Sequence, residues 1–267
     1  MQKSNVFISF SNIMAAPLSP NKNHSLSSND LIIYSIYLPH FIELKSDLVK
    51  FLNSKEVERA ERFHKEIDRN RFIIYRSILK FVLSAHTQLD VKSTHFDYTV
   101  NKKPYLATHP WLHFNISHSE DYAVIAISRK KVGIDIEYMS KDFDFANVVP
   151  DVFEDKEISI IQNAINKKSA FYTLWTRKEA FVKGLGKGID EDFKYIPCLD
   201  GNHIIDSNLL KNTENWQLYS FDLAEHYLGT VAYNSLSTIS ENLVVYTIPN
   251  TMKDLLEMTR IRNNIAD

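Results

Sequence analysis

The chain has one cysteine in 267 residues, and that scarcity removes several possibilities at once. Cys198 cannot form an internal disulfide and has no cysteine partner for a zinc cluster. A reducing compartment, the cytoplasm, is the expected location. Glycine is also scarce, at six residues. No GxxxxGK[ST] loop and no glycine fingerprint after a strand is present to cradle a nucleotide phosphate. The ten histidines are scattered, without HExxH or another metal-ligand spacing. Long apolar runs are missing. The longest, Phe72 to Ala85, is broken by Arg76 and Lys80 and falls short of the roughly 20 residues that cross a bilayer. Val6 to Ala16 faintly resembles a secretion signal, but Ser9, Ser11 and Asn12 interrupt it, so neither export nor a membrane partner is expected. Nor is there an excess of one charge. A net charge of −2 argues against wholesale nucleic-acid binding, which leaves a basic footprint.

What is present is a core-forming composition. With 44% hydrophobic and 12% aromatic residues, the chain can fold as one large unit or two modest ones packed together. Residues 17–30 read as a polar linker, two prolines followed by a Ser/Asn-rich run. Regular structure is expected from Leu31, where LIIYSIYL reads as a strand. Helices are predicted over 41–53 and 54–66, and a longer one over 68–88 with Phe72, Tyr75, Leu79 and Val82 on one face. Strands follow at 94–100, 112–117, 121–128 and 132–138. Further helices are predicted near 154–166 and 169–184, strands at 215–222 and 227–233, an apolar stretch at 243–248, and a polar helix from 251. Strands mixed with helices, without strict alternation, give an α+β class. The two long helices echo each other, opening at Phe72 and Phe171 and closing near Phe81-Val82 and Phe181-Val182.

Two segments carry chemistry. In Val132 to Tyr138, VGIDIEY, alternation puts Val132, Ile134, Ile136 and Tyr138 on one face and Asp135 with Glu137 on the other, roughly 6–7 Å apart at two strand rises. Gly133 lies beside them and leaves room for something to approach the backbone. A half-buried strand with a solvated acidic face fits these residues, and so does a hard-cation site, since magnesium takes a few carboxylates plus substrate phosphate. On the second long helix, Phe171, Leu174, Trp175, Val182 and Leu185 form an apolar stripe with Lys178 in its middle. Such a lysine must snorkel out or meet a negative partner. Glu179 and Lys183 share the stripe's edge at i and i+4, the spacing of an ordinary helical ion pair. Gly184, Gly186 and Gly188 follow, half of all the glycines in five residues, and read as a helix terminus and a close-approach turn.

Three blocks in order then carry a resemblance. They are Lys102-Lys103-Pro104-Tyr105 with Phe114-Asn115-Ile116-Ser117-His118-Ser119, then Val132 to Glu137, then Leu174 to Lys183 with its glycine turn. Each alone is modest; together they resemble the surfactin-type 4′-phosphopantetheinyl transferases over residues 31–235. Asn101-Lys102 stands where many relatives have a glycine before Lys-Pro, and Ala180 gives the KEA form of a motif that also occurs as KES.

The resemblance implies two similar α+β halves related by a pseudo-twofold axis, with coenzyme A and Mg2+ held between them. The halves would be 31–131 and 132–235, flanked by a polar tail at 1–30 and a C-terminal extension with a helix at 236–267. It implies transfer of phosphopantetheine from coenzyme A to a serine of an apo acyl or peptidyl carrier protein, by a monomeric enzyme. Asp135, Glu137 and Glu179 are the implied metal ligands, Glu179 the base for the serine, and Lys183 the group that neutralises or protonates departing 3′,5′-ADP. Ser117 and His118 are implied coenzyme A contacts, the histidine near the 3′-phosphate. Lys103 and Pro104 match a stretch flanking adenine and phosphates. Arg62-Phe63 and Arg71 resemble basic positions used against the nucleotide phosphates, and Lys178 is expected to pair with a site carboxylate or a phosphate. Two other readings use the same residues: a non-catalytic coenzyme A or carrier-binding module, and a metal-dependent phosphodiesterase, against which the absence of an aromatic-plus-basic platform weighs.

Overall fold

The computed structural model describes residues 3–19, 26, 31–206, 214–235 and 242–260. Its strands are β1 (Lys3–Phe10), β2 (Asn12–Pro17), β3 (Leu31–Tyr37), β4 (Asp97–Tyr98), β5 (Pro104–Tyr105), β6 (His113–Ser119), β7 (Tyr122–Ser128), β8 (Val132–Tyr138), β9 (Gly201–Asp206), β10 (Asn215–Ala224), β11 (Tyr227–Asn234) and β12 (Asn242–Thr247). The helices are α1 (Lys45–Leu48), α2 (Ser54–Glu61), α3 (Glu66–Thr87), α4 (Val149–Val152), α5 (Asp155–Asn163), α6 (Lys167–Leu185) and α7 (Met252–Arg260).

Alternation sorts the apolar side chains into layers. In β3, Ile32, Tyr34 and Ile36 face one cluster with α3, while Ile33 faces the opposite one. In β8, Val132, Ile134 and Ile136 meet Ile33, Val124 and Ala126 of the other sheet. The two sheets therefore pack face to face, α3 covering the outer side of one and α6 that of the other.

The sheets run β2-β12-β3-β7-β6 and β8-β11-β10-β1-β9. Within them one topology occurs twice. A strand (β3 or β8) leads through a long helix (α3 or α6) into a hairpin, and pairs antiparallel with the hairpin's second strand. Both opening strands have seven residues and end in tyrosine, Tyr37 and Tyr138. A second echo is electrostatic. The short helices α2 and α5 each begin in a capping box, whose glutamate at the third helical position binds back to the cap backbone. In each half that glutamate also pairs with a fully buried lysine of the long helix, Glu56 with Lys80 at 3.0 Å and Glu157 with Lys178 at 2.9 Å.

Several expectations are corrected. Regular structure does not wait for Leu31: Ser4, Val6 and Ile8 alternate into the core as β1, parallel to β10, and β2 lies parallel to β12 in the other sheet. The apolar stretch taken for a faint export signal is thus two strands, one in each sheet. Most of the predicted linker lies outside the described residues, though Leu18 and Leu26 are buried. The helix predicted over 41–53 is broken into short turns, with Leu38, Phe41 and Leu48 as the anchors that reach the core. The strand predicted over 94–100 shrinks to Asp97–Tyr98, because the chain turns at Lys102, whose φ is 61°. A left-handed position of this kind is one that glycine adopts without strain. At the C-terminal end, β12 is inserted between β2 and β3 rather than appended.

Candidate functional site

Close approach of a strand to a helix builds the site. A methyl group on Gly133 would fall 2.0 Å from Ala180 O and 2.2 Å from Gly184 N, so only glycine lets β8 lie against α6. Helix α6 is started by Asn166, whose side chain accepts from Ser169 N, and stopped by Gly186 at φ 72°. Between those ends it carries Glu179 and Lys183 over the acidic face of β8. The Lys183 ammonium donates to Asp135 Oδ1 at 2.6 Å and to Ser117 Oγ at 3.2 Å, and lies 3.8 Å from Glu179 Oε2. Asp135 and Glu179 thus touch one ammonium, although strand and helix are far apart in sequence.

The other wall is β6, the edge of the opposite sheet. Asn115, Ser117 and Ser119 alternate toward β8. Asn115 Oδ1 accepts from Ile134 N at 2.9 Å and Ser119 Oγ accepts from Tyr138 N at 3.0 Å, so side chains satisfy amides that the edge strand leaves open. Ser117 Oγ donates to Asp135 at 2.9 Å, and Ser119 Oγ donates to Glu137 at 3.0 Å. Two sheet edges are laced together through the acidic pair.

The carboxylates are crowded and dry. Burial first, then the neighbouring Asp135 charge, pushes Glu137 up to about 7. Burial also raises Glu179, against the pull of Lys183. Burial alone would lower Lys183, but Asp135 and Glu179 outweigh it and raise the ammonium's pKa. Asp135 is 2% exposed, and its Oδ2 has no hydrogen-bond partner. An orphaned carboxylate oxygen beside two carboxyls held above their ordinary range is a donor set suited to a cation. As they stand, no three such side chains among the described residues are gathered at metal-binding distance; the Lys183 ammonium supplies the positive charge between them.

Sequence comparison gives this constellation a context. A profile of the 4′-phosphopantetheinyl transferase superfamily matches residues 131–232, and one described as 4′-phosphopantetheinyl transferase, N-terminal, matches 41–130. HetI of Nostoc sp., named a 4′-phosphopantetheinyl transferase, is 31% identical over 173 residues, covering 62% of this chain and 73% of the relative. Sfp of Bacillus subtilis, named likewise, is 30% identical over 161 residues, covering 59% and 71%. The chain belongs to the 4′-phosphopantetheinyl transferase superfamily.

The transferase brings some of the sequence-predicted residues together and separates others. His118 stacks on Tyr75 with ring centroids 4.4 Å apart; the cover this gives, with Lys183 and Arg71 close by, holds the imidazole below its usual value. Arg71 reaches Glu120 at 2.7 Å and Asp121 at 3.4 Å, at the turn joining β6 to β7. Lys178 is elsewhere. It is fully buried, paired with Glu157, and donates to the carbonyls of Lys194 and Ile196, so its carboxylate partner is not Asp135, Glu137 or Glu179. Lys103 is also engaged with backbone, as argued below. Sequence reasoning missed Arg59, which acts electrostatically on His118, and the positioning roles of Asn115 and Ser119. The signal for the last two was the period-2 spacing of 115, 117 and 119.

Two cavities draw on the elements of the site, and one of them includes Glu137. One of about 440 Å³ is lined by Glu137, Tyr138, Phe143, Tyr172 and Trp175. The other, about 270 Å³, is lined by Lys103, Pro104, His113, Lys131 and Gly186. Ser117, Asp135 and Lys183 lie on β6, β8 and α6, elements that contribute residues to these linings.

Proposed function

We propose that this transferase moves 4′-phosphopantetheine from coenzyme A to the serine of an apo acyl or peptidyl carrier protein and releases 3′,5′-ADP, using Mg2+ held by Asp135, Glu137 and Glu179. The observation that supports it is the partnerless Asp135 Oδ2 among buried carboxylates beside Lys183 and Ser117. When bound, the cation supplies Lewis-acid stabilisation of charge on a diphosphate.

The remaining steps belong to the chain's own groups. The cavity beside Pro104 takes the nucleotide and the aromatic cavity beside Glu137 takes the pantetheine arm; His118 and Arg71, which line neither, are the proposed contacts of the 3′-phosphate. Ser117 and Lys183 hold the diphosphate between them. Glu179 accepts the proton of the carrier serine as its oxygen forms the new P–O bond. The old P–O bond to the nucleotide breaks, and Lys183 neutralises or protonates the departing phosphate. Burial suits Glu179 to this task, because it raises the carboxylate toward neutral pH.

Among the described residues no helix is long and apolar enough to cross a membrane. A buried free Cys198 agrees with a cytoplasmic enzyme, and two halves in one chain agree with a monomer.

The deciding experiment incubates purified enzyme, coenzyme A, Mg2+ and an apo carrier, and reads the carrier's intact mass. The phosphopantetheine increment is expected with wild type and absent with Glu179→Ala at unchanged thermal stability. Near-normal turnover by Glu179→Ala would remove the assigned base. Binding of coenzyme A without any mass gain in wild type would favour the non-catalytic module.

A further inference from the structure

We infer that Lys103 is a positioning residue that locks the helix bearing Glu179 and Lys183 to the strand bearing Asp135 and Glu137, and is not a phosphate ligand. The inference rests on the transferase reading above.

Lys103 belongs to the first half, on the turn before β5. Its ammonium donates to three carbonyls of the second half: Lys183 O at 2.6 Å, Val132 O at 3.0 Å and Gly184 O at 3.3 Å. A lysine ammonium has three N–H donors and no more. All three are spent on backbone, which leaves none for a ligand phosphate.

The choice of carbonyls matters. Two belong to the last turn of α6, where the helix dipole favours a cation; Lys183 O also accepts from Gly186 N at 3.2 Å. The third opens β8. One side chain therefore pins the end of the helix to the start of the strand, at the place where Gly133 already touches Ala180 and Gly184. Asn101 adds a second tie from the same turn, its side-chain amide donating to Gly186 O at 2.9 Å. One helical turn from this clasp is Glu179, and the ammonium of Lys183 itself donates to Asp135. Sliding of α6 along β8 would separate exactly those groups that must converge in transfer. Burial, and then the Lys131 charge nearby, lowers the Lys103 ammonium to about 8; His113 also faces it. The clasp is retained in spite of that desolvation because three carbonyl dipoles converge on it.

The test is steady-state transfer from coenzyme A to a purified apo carrier by wild type, Lys103→Met and Asn101→Ala, with amide hydrogen exchange followed at residues 183–188. Misplacement of catalytic groups by about 1 Å can cost roughly 10²-fold in rate. Lys103→Met is therefore expected to lower kcat by about 10- to 100-fold, with the KM for coenzyme A within about threefold of wild type. Exchange at the end of α6 should rise. Asn101→Ala, at an exposed position, should give a smaller loss of kcat with the same signature, and it decides the matter if Lys103→Met fails to fold. A KM for coenzyme A raised tenfold or more at unchanged kcat would identify a phosphate contact and overturn the inference, as would unchanged kcat in both variants. Absence of transfer by wild type would instead defeat the underlying reading.

Discussion

Lys183 and Asp135 stand 2.6 Å apart, an ion pair between α6 and the acidic strand, separated by 48 residues of sequence. Asp135 is almost wholly buried, so this ammonium is its principal counter-charge. Breaking a fully buried pair costs about 3–5 kcal/mol. Because the Lys183 side chain is 30% exposed, Lys183→Met is expected to cost less, roughly 2 kcal/mol, in urea unfolding. Adding Asp135→Asn should recover part of that loss; a double variant less stable than the single one would contradict the pairing.

The pH response of Glu137 has a definite sign. Its carboxyl sits at about 7 in the folded chain against an ordinary 4.5, so between those values the folded state holds more protons than the unfolded. Its contribution to stability therefore falls as pH rises from about 4.5 to 7. Thermal melts in chelator should show this loss, and Mg2+ should raise the melting temperature more at pH 8 than at pH 5. An equal effect at both values would argue against carboxylate binding.

Gly133 and Gly188 make opposite predictions. The added methyl of Gly133→Ala meets backbone at 2.0 Å and 2.2 Å, neither of which is a flexible neighbour. It should cost roughly 3 kcal/mol or more, or prevent folding. Nothing lies within 4 Å of the corresponding methyl at Gly188. Gly188→Ala should change stability by less than about 1 kcal/mol, with transfer intact.

Lys178→Met separates folding from chemistry. The pair with Glu157 is fully buried, and its loss should cost about 3–5 kcal/mol by denaturant unfolding. At a temperature where the variant stays folded, the KM for coenzyme A should match wild type. A raised KM would return Lys178 to the binding site.

Much of the site was legible because it depends on period. Alternation alone put Asp135 and Glu137 on one face, and the helical wheel left Glu179 and Lys183 together at a stripe's edge. The same arguments identified Lys178 as a charge needing a partner and Gly133 as a point of close approach. They could not say which partner or what approached, because Glu157 and Gly184 belong to other elements, and periodicity is silent on which elements meet. The contacts of Lys103 were illegible for the same reason: its side chain serves carbonyls of β8 and α6. The N-terminal strands were missed because their short alternation is weak, and their partners lie at the far end of the sequence.

Those first strands also constrain the order of assembly. As the ribosome delivers the chain, Asn5 emerges well before its partner Asn215, and Asn12 well before Asn242. Both segments must be kept from wrong partners until β10 and β12 have been synthesised. Such long-range closure slows the final step and leaves apolar edges exposed meanwhile. The stretch that ties the two sheets together is made long before its partners and is among the last to find its place.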